Sequence, residues 1–276
     1  EAIGLLFDFE WTNKQLFYSS YIRTNSFFAN SELASTGLPS AAELAVLEPL
    51  RSQIPETVFT QAYTNPVSDG SGIIRERRLA AWRLLQEAGY RIENDRMVNA
   101  QGEPLAFEFI IAQANLERVL LPFKRNLAEL GIELTIRRTD VSQYINRMRS
   151  RDFDMTSSIW SQSNSPGNEQ RDFWHSSSVD NPGSRNFIGL QDPAIDRLVE
   201  GLINAPSRES LITHARALDR VLLAGHYVIP NYYIDTWRIA YWQHLAQPQM
   251  APLYDYGLMT WWHKPNAPTP TSTADQ

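Results

Sequence analysis

Residues 105–159 contain the pattern that decides the fold class: LAFEFIIAQANLERVLLPFKRNLAELGIELTIRRTDVSQYINRMRSRDFDMTSSI. Apolar side chains alternate or run together in three short segments, which are predicted strands: residues 105–111, 132–137 and 153–159. Apolar residues recur at helical spacing in two longer segments, which are predicted helices: residues 115–130 and 141–149. Strands that alternate with helices in this order predict an α/β fold, in which helices are layered on a sheet.

Closer to the start of the chain the sequence predicts two helices. Residues 1–21 carry a dense apolar pattern that predicts a helix, broken near Thr12. Ser40 and Glu43 have the spacing of a capping box, in which both side chains satisfy the first backbone amides of a helix. We expect that second helix to reach about residue 51.

A further helix is predicted before residues 105–159, and a hairpin is predicted where these residues begin. The helix covers residues 74–88, and Gly89 is its expected C-cap. Residues 97–98 and the strand at 105–111 flank the polar turn 99–102, so together they predict a β-hairpin.

Towards the end of the chain the sequence predicts two helices and then two strands. The helices cover residues 192–204, which Asp192 and Pro193 open, and residues 207–225. The predicted strands are residues 227–229 and 237–242. The tail, residues 265–276, is rich in Pro, Thr, Ser and Ala, a composition that predicts disorder.

Composition restricts the classes of partner. The 276 residues carry a net charge of −6, with acidic and basic residues interspersed, which argues against nucleic acid or an anionic membrane as the main partner. There is no cysteine, so disulfides, thiolate chemistry and cysteine-based zinc sites are excluded. The eight Trp, eleven Tyr and twelve Phe residues suit both core packing and a site that binds ligands by stacking.

Residues 153–174, FDMTSSIWSQSNSPGNEQRDFW, contain the candidate recognition surface. Trp160 ends the predicted strand, and the short polar side chains of residues 161–165 follow it before Pro166 breaks the chain. An aromatic ring supplies apolar contact area, while hydroxyls and amides fix hydrogen-bond geometry. A solvated loop between two core elements fits the same pattern, so both interpretations stay open.

No motif for catalysis or metal binding is present in the sequence. The five histidines are scattered without the HExxH spacing, and the G-x-S-x-G, P-loop and G-x-G-x-x-G patterns are missing. Glu169 has no capping duty visible in the sequence and is a ligand-contact candidate. Arg171 could instead form a surface pair with Glu169 or Asp172. We therefore predict no enzyme activity, no catalytic residue, no metal and no cofactor.

Several stretches resemble one known family when they are taken in order. They are FDFEWTNK (7–14), AWRLLQEAGY (81–90), the segment 153–174, GSRNFIG (183–189), DPAID (192–196), LDR (218–220) and YVIP (227–230). This set is similar to the peptide-binding proteins of bacterial ABC importers, the dipeptide/oligopeptide family of extracellular solute-binding proteins, family 5. Within the family it most resembles the branch associated with microcin C and oligopeptide uptake.

The resemblance implies the fold of a two-lobed periplasmic binding protein of type II, cluster C. It assigns residues 1–235 to the second, peptide-binding lobe, residues 236–264 to the C-terminal return into the first lobe, and residues 265–276 to a disordered tail. Family members are about twice as long, so we expect this chain to be a C-terminal half. The N-terminal half would then be missing or be a separate chain, and the signal peptide would lie outside this sequence.

The resemblance also implies a function in transport. A peptide or peptide-like ligand would lie between the lobes, which close on it by a hinge in the periplasm and deliver it to the inner-membrane ABC permease. The implied ligand-binding residues are Trp160, Ser161, Gln162, Ser163, Asn164, Glu169, Arg171, Asn186, Tyr233 and Asp235.

For two groups of these residues the sequence allows more than one role. Relatives place an Asp that clamps the ligand's amino terminus where this chain has Gln162 and Ser163. Either Glu169 takes that role, or the ligand is recognised differently, for instance as a modified, formylated or internally bound peptide. Tyr233 and Asp235 fall at the crossover between lobes, where they would face the cleft or pack in the hinge.

Two other functions remain possible for the same sequence. The scaffold could bind a non-peptide ligand such as an oligosaccharide, because aromatic-rich clefts also bind sugars. A hydrolase of peptides or glycans could use Glu169 with Asp172 or Asp154, although no nucleophile or metal motif accompanies these carboxylates.

Overall fold

Helices and short strands alternate along the residues that the computed structural model describes, which are 1–250, 252 and 255–264. The α-helices are α1 (Ala2–Leu5), α2 (Phe9–Leu16), α3 (Ala41–Leu47), α4 (Thr57–Thr60), α5 (Arg75–Glu87), α6 (Ala114–Ala128), α7 (Val141–Ser150), α8 (Glu169–Trp174), α9 (Pro193–Ile203) and α10 (Arg208–Ala224). The strands are β1 (Ile22–Arg23), β2 (Arg91–Glu93), β3 (Arg96–Val98), β4 (Ala106–Ile111), β5 (Glu133–Arg138), β6 (Tyr232–Tyr233), β7 (Leu245–Ala246) and β8 (Trp262–His263).

The chain divides into two compact units, Glu1–Tyr233 and Ile234–Gln276. The first unit contains two hydrophobic cores. The sheet core surrounds β4 and β5 and is built from Leu6, Phe7, Phe9, Ile74, Ala81, Leu85, Met97, Phe109, Ile111, Val119, Leu120, Phe123, Leu127, Leu130, Ile132 and Leu134. The helical core is built mainly from α3, α4 and α8–α10, with Leu47, Trp174, Ile195, Leu198, Leu218 and Leu222 among its buried residues.

The predicted strand–helix–strand of the sheet core is confirmed. Strands β4 and β5 pair in parallel, with Phe107 opposite Leu134 and Phe109 opposite Ile136, and α6 connects them. A parallel pair needs such a crossover, and the helix buries one apolar face against the strands. The predicted α/β class therefore holds here.

The predicted third strand, residues 153–159, is wrong. Only Met155 pairs with the sheet, through an isolated parallel bridge to Phe109. Beyond it the Ser157 carbonyl accepts from the Tyr144 hydroxyl, and Thr156 reaches the sheet only through its side chain, whose hydroxyl donates to the Ile110 carbonyl. Such side-chain bonds compete with a strand ladder, so the segment leaves the sheet after one residue.

The predicted hairpin has a different partner strand. β3 pairs antiparallel with β2 around Asn94 and Asp95, which both have positive φ, as a tight two-residue hairpin turn requires. The strand predicted at 105–111 pairs with β5, and the predicted hairpin forms only next to its turn, where the Leu105 amide donates to the Met97 carbonyl and Val98 forms an antiparallel bridge with Pro104. β2 reads Arg-Ile-Glu, with every residue exposed, so it carries little of the alternating pattern by which strands are recognised.

Gly131 is where this hairpin approaches the end of α6. The Met97 amide donates to the Gly131 carbonyl, and φ at Gly131 is +73°. A Cβ there would lie 2.6 Å from the carbonyl oxygen of Asp95, so no other residue fits without moving the hairpin.

The predicted N-caps at Ser40 and Asp192 are confirmed, but the Glu43 carboxylate accepts from the Ser40 hydroxyl and not from a backbone amide as the capping box predicted. The Ser40 hydroxyl accepts from the Glu43 amide at the start of α3, and Asp192 accepts from the Ala194 amide, 2.8 Å away, at the start of α9. The predicted helix over residues 1–21 is two helices, α1 and α2, because Asp8 caps the second one through the Trp11 amide.

Both strands predicted after α10 are wrong. Residues 227–229 are irregular, since His226 has a φ of 49° and Pro230 cannot donate to a ladder. The strand forms at β6 instead, paired with β1. In the second unit residues 237–242 are also irregular, and β7 pairs with β8. The predicted tail, residues 265–276, lies outside the described residues.

Candidate functional site

Trp160 lies at the centre of an aromatic cluster formed with Phe27 and Trp174. Its ring centroid is 5.0 Å from that of the fully buried Trp174 and 6.2 Å from that of the half-buried Phe27. Its indole Nε1 donates to the Arg185 carbonyl over 3.1 Å, which fixes the ring plane. Trp160 itself is half-buried, so the cluster joins the helical core to the surface.

The polar run, residues 161–165, follows Trp160 directly. Ser161, Ser163 and Asn164 are exposed, and Gln162 is half-buried. Arg208 of α10 donates to the Asn164 carbonyl and is also bonded to the carboxylate of Glu32. The run is therefore bonded to α10 through its backbone, while four of its five side chains, including that of Ser165, are exposed.

A chain of hydrogen bonds fixes the orientation of Gln162. The Trp174 indole can only donate, and it donates to Gln170 Oε1 over 3.2 Å. Gln170 must then donate through Nε2, which lies 2.7 Å from Gln162 Oε1. This order leaves Gln162 Nε2 as the free end, and that buried nitrogen has no partner among the described residues.

Glu169 has a local duty that the sequence did not reveal. Its Oε1 accepts from the Gly167 amide over 2.8 Å and from Gln170 Nε2 over 3.3 Å. One carboxylate oxygen is thus used to close the turn that begins α8. The other is not bonded within the described chain.

Arg171 pairs with neither of the carboxylates expected for it. Its guanidinium binds Glu200 of α9 through Nε and Nη2, with Nη2 2.7 Å from Oε2, and donates to Asn168 through Nη1. This Arg171 hydrogen bond lowers the pKa of Glu200. Asp172 instead accepts from the Arg185 amide. The structure thus gives Arg171 the task of joining α8 to α9.

Asn186 is fully buried, and its amide is bonded within the chain. Its Nδ2 donates to the Leu190 carbonyl and to the Ser178 hydroxyl, and its Oδ1 accepts from the Leu190 amide over 2.7 Å. These bonds close the loop before α9. They leave Asn186 without a surface to offer a ligand, contrary to the expectation from the sequence.

Tyr233 and Asp235 are not joined to the polar run by any hydrogen bond or ring contact within the described residues. Tyr233 lies opposite Ile22 in the β1–β6 pair and is half-buried. Asp235 is exposed and belongs to the second unit. The structure thus brings together the residues from 160 to 171, and Tyr233 lies on a separate element.

Residues 1–182 match the family described as "Bacterial extracellular solute-binding proteins, family 5 Middle". This chain belongs to that family. The match covers more than half of the chain, and it includes Trp160 and the polar run.

Relatives of this family 5 chain are much longer than the chain itself. It is 47% identical, over 264 residues, to a probable peptide-binding protein, YejA, of Agrobacterium fabrum; the aligned part covers 95% of this chain and 43% of that protein. The chain therefore spans less than half the length of this relative.

Solved structures share the fold. The oligopeptide-binding protein AppA of Bacillus subtilis, in complex with a nonapeptide, matches with a TM-score of 0.67 and 17% identity, over 95% of this chain and 46% of that one. A mannohexaose-bound periplasmic oligopeptide-binding protein of Thermotoga maritima matches with a TM-score of 0.60 and 14% identity, over 84% of this chain and 40% of that one. The family 5 chain thus has part of the α/β fold of type II periplasmic binding proteins.

Two features of the site were missed at the level of sequence. The first is Phe27, whose ring contacts that of Trp160. The sequence did not indicate it, because no local pattern relates two residues so far apart in the chain. Gln170 and Trp174 stand four positions apart in a helix, a spacing at which side chains meet, so their bond could have been predicted.

Among the described residues, no group of three or more His, Asp or Glu side chains could hold a metal ion. Within the same residues, no helix combines the length and apolar content that crossing a membrane requires.

Proposed function

We propose that this chain is part of the substrate-binding component of an ABC importer, and that it binds peptides or peptide-like compounds. The ligand lies in a cleft between two lobes in the periplasm, and hinge closure presents it to the inner-membrane permease. Residues 1–235 form the peptide-binding lobe and residues 236–264 return into the other lobe. The residues that complete the first lobe come from outside this sequence.

The observation that carries the proposal is the aromatic cluster beside an exposed polar run. Trp160 offers part of a ring whose plane is fixed by the Arg185 carbonyl, and Ser161, Ser163 and Asn164 extend next to it into solvent. A rigid ring with adjacent hydroxyl and amide groups suits an extended peptide, which has apolar side chains and backbone polar groups in alternation. The name of the Agrobacterium relative supports the same ligand class.

The charges of this surface favour a ligand that is not held by its amino terminus. The polar run contains no carboxylate, and one oxygen of Glu169 already accepts two hydrogen bonds from its own turn, which leaves only the other oxygen for an ammonium group. An ammonium group needs a carboxylate partner when it leaves water. We therefore favour a peptide that is modified at its amino terminus or bound through its interior.

An oligosaccharide is the second candidate ligand. The Thermotoga structure binds mannohexaose on the same fold, and an exposed indole face stacks on sugar rings as readily as on peptide side chains. The candidate surface does not distinguish the two by charge, since both ligands are neutral over most of their length.

Native mass spectrometry of the purified chain tests the proposal. We expect a retained peptide mass, with or without a second polypeptide that co-purifies. A retained oligosaccharide would select the second candidate. The variant Trp160→Ala should lose the retained mass, while Tyr18→Ala, which changes a ring that is 87% exposed and outside the site, should keep it. Retention that is equal in both variants, or absent from the unmodified chain, contradicts the assignment.

A further inference from the structure

Helix α10 carries two consecutive charged residues that are buried, which is rare unless each is bonded. Asp219 is 0% exposed and Arg220 is 6% exposed. Both face the segment 26–43, which lies about 180 positions earlier in the chain. Neither residue has a role in the ligand surface described so far.

Asp219 binds both ends of the segment 27–35. Its Oδ1 accepts from the Phe27 amide over 2.7 Å, and its Oδ2 accepts from the Ser35 amide over 2.9 Å and from the Ser35 hydroxyl over 2.7 Å. A carboxylate can only accept, and bonds to an ionised acceptor are stronger and more directional than neutral ones. One buried side chain therefore fixes the backbone of both residues.

Phe27 links this anchor to the ligand surface. Its ring meets the Trp174 ring edge to face, with centroids 5.0 Å apart, and meets the Trp160 ring in the same manner. Because the Phe27 amide is held by Asp219, the backbone from which the ring reaches Trp160 is fixed. The other end of α10 holds the polar run through Arg208, so a single helix supports both parts of the surface.

Keeping a charge at this position is unfavourable for the fold. Burial raises the pKa of Asp219, and the bonds from Ser35, Ser26 and Phe27 only partly oppose that shift. An apolar residue would avoid the cost of burial, but it could not accept the two backbone amides.

We propose that Asp219 is a positioning residue of the ligand surface, and that it sets the orientation of Trp160 through the backbone of Phe27. The effect on ligand affinity rests on the proposed function, whereas the effect on Trp160 does not.

Arg220 provides the matched control. It binds Glu43 through Nε over 2.6 Å and also donates to the carbonyls of Gly37 and Thr36. Within the described residues none of its hydrogen bonds reaches the aromatic cluster. Glu43→Gln should therefore weaken a buried bond next to Asp219 without moving Trp160.

The first measurement follows the indole N–H signal of Trp160 in a ¹H–¹⁵N spectrum of the full chain, assigned with Trp160→Phe. We expect the signal to shift or broaden in Asp219→Asn and to keep its position in Glu43→Gln. Ser35→Ala, which removes a single bond to Asp219, should give a smaller shift in the same direction and covers the case in which Asp219→Asn does not fold. An unmoved Trp160 signal in the folded Asp219 or Ser35 variant, or an equal shift in Glu43→Gln, overturns the proposal.

The second measurement separates this proposal from the proposed function. A pool of random tri- to nonapeptides, blocked at the amino terminus, is the probe. We expect Asp219→Asn to weaken its binding about 10-fold in the unmodified background and about 2-fold or less in Phe27→Leu, because coupled residues lose their effect together. An undiminished effect in Phe27→Leu contradicts positioning through Phe27. No binding by any form of the chain contradicts the proposed function alone, and the Trp160 signal then decides the role of Asp219.

Discussion

The first unit contains two buried ionic groups that are built in opposite ways. In the helical core Arg220 and Glu43 have side chains only 5% and 4% exposed, and Arg220 donates to the Glu43 carboxylate and to three backbone carbonyls. Near the sheet core Arg77 is 4.0 Å from Asp8 and 3.9 Å from Glu10, so both pairs lack direct contact.

The second group also leaves polar atoms without partners. Arg77 Nε and Nη1 and Asp8 Oδ2 are buried and form no hydrogen bond within the described residues. Burial lowers the pKa of Arg77, and only the attraction of Asp8 and Glu10 opposes that shift. The comparison predicts that the two groups differ in how far they stabilise the fold, because the hydrogen bonds around a buried ion pair decide whether it offsets the cost of burial.

Removing Arg220 should have the largest effect on stability. Arg220→Met leaves the Glu43 carboxylate buried without its charge partner, and three carbonyls lose their donor, so we expect a loss of about 3–5 kcal/mol in the free energy of unfolding. Urea denaturation measures it. Arg220→Met with Glu43→Leu removes both charges and should recover part of the loss. A loss in the single variant of roughly 1 kcal/mol or less would show that the pair contributes no more than a surface contact.

Removing Arg77 should have a smaller effect. Arg77→Met loses the bond from Nη2 to the Phe7 carbonyl, but it also removes two buried donors that have no partner. These changes oppose each other, so we expect a loss of about 1 kcal/mol. The same urea experiment measures it, with Arg77→Lys as the variant that keeps the charge. A loss as large as that of Arg220→Met would show that both groups contribute equally to the free energy of unfolding, despite their different hydrogen bonding.

The smallest expected effect on stability comes from the ion pairs of Glu108 with Arg137 and Arg147. Hydrogen bonds from Arg137 and then Arg147 lower the pKa of Glu108 below its ordinary value of 4.5. A lowered pKa in the folded state means that the stabilisation is complete above pH 4.5 and is lost as the pH falls through the folded-state pKa. Because Arg137 is well exposed, Glu108→Gln should cost only about 0.5 kcal/mol at pH 7.

The pH dependence tests these ion pairs separately from other carboxylates. The difference in unfolding free energy between the unmodified chain and Glu108→Gln should shrink steadily below pH 4.5. A difference that stays constant through the acid range would assign the effect to packing of the side chain rather than to its charge.

Local patterns made much of the fold predictable. The caps at Ser40 and Asp192 and the helical periodicity of α5, α6, α9 and α10 each depend on residues within a few positions, and all are found. The errors fall where the structure of a segment depends on residues outside that segment. Residues 153–159 have a strand composition, but the Tyr144 hydroxyl bonds the Ser157 carbonyl, and Thr156 reaches the sheet only through its side chain. β2 is recognisable only through its partner.

The sequence pointed to Trp160 and the polar run as a candidate site, but it did not reveal the side-chain hydrogen bonds around them. Trp160 and the polar run stand out because an aromatic residue and a turn follow a strand-like segment. Glu169, Arg171 and Asn186 looked available because their partners, respectively Gly167, Glu200 and Leu190, are reached only through the folded backbone. Which polar side chain remains free depends on these bonds, and the sequence does not contain them. The roles of the site residues remain predictions.

The anchoring of the segment 26–43 by α10 has a consequence for how the protein is made. Asp219 meets Phe27 across 192 positions, and Arg220 meets Glu43 across 177. Ribosomes add about 5–20 residues per second, so the early segment waits roughly 10–40 s for the helix that will hold it. During that time the sheet core, whose β4, α6 and β5 are close in sequence, is complete and able to fold. Synthesis of this stretch therefore completes the sheet core before α10 can hold the segment 26–43 and the Phe27 ring in place.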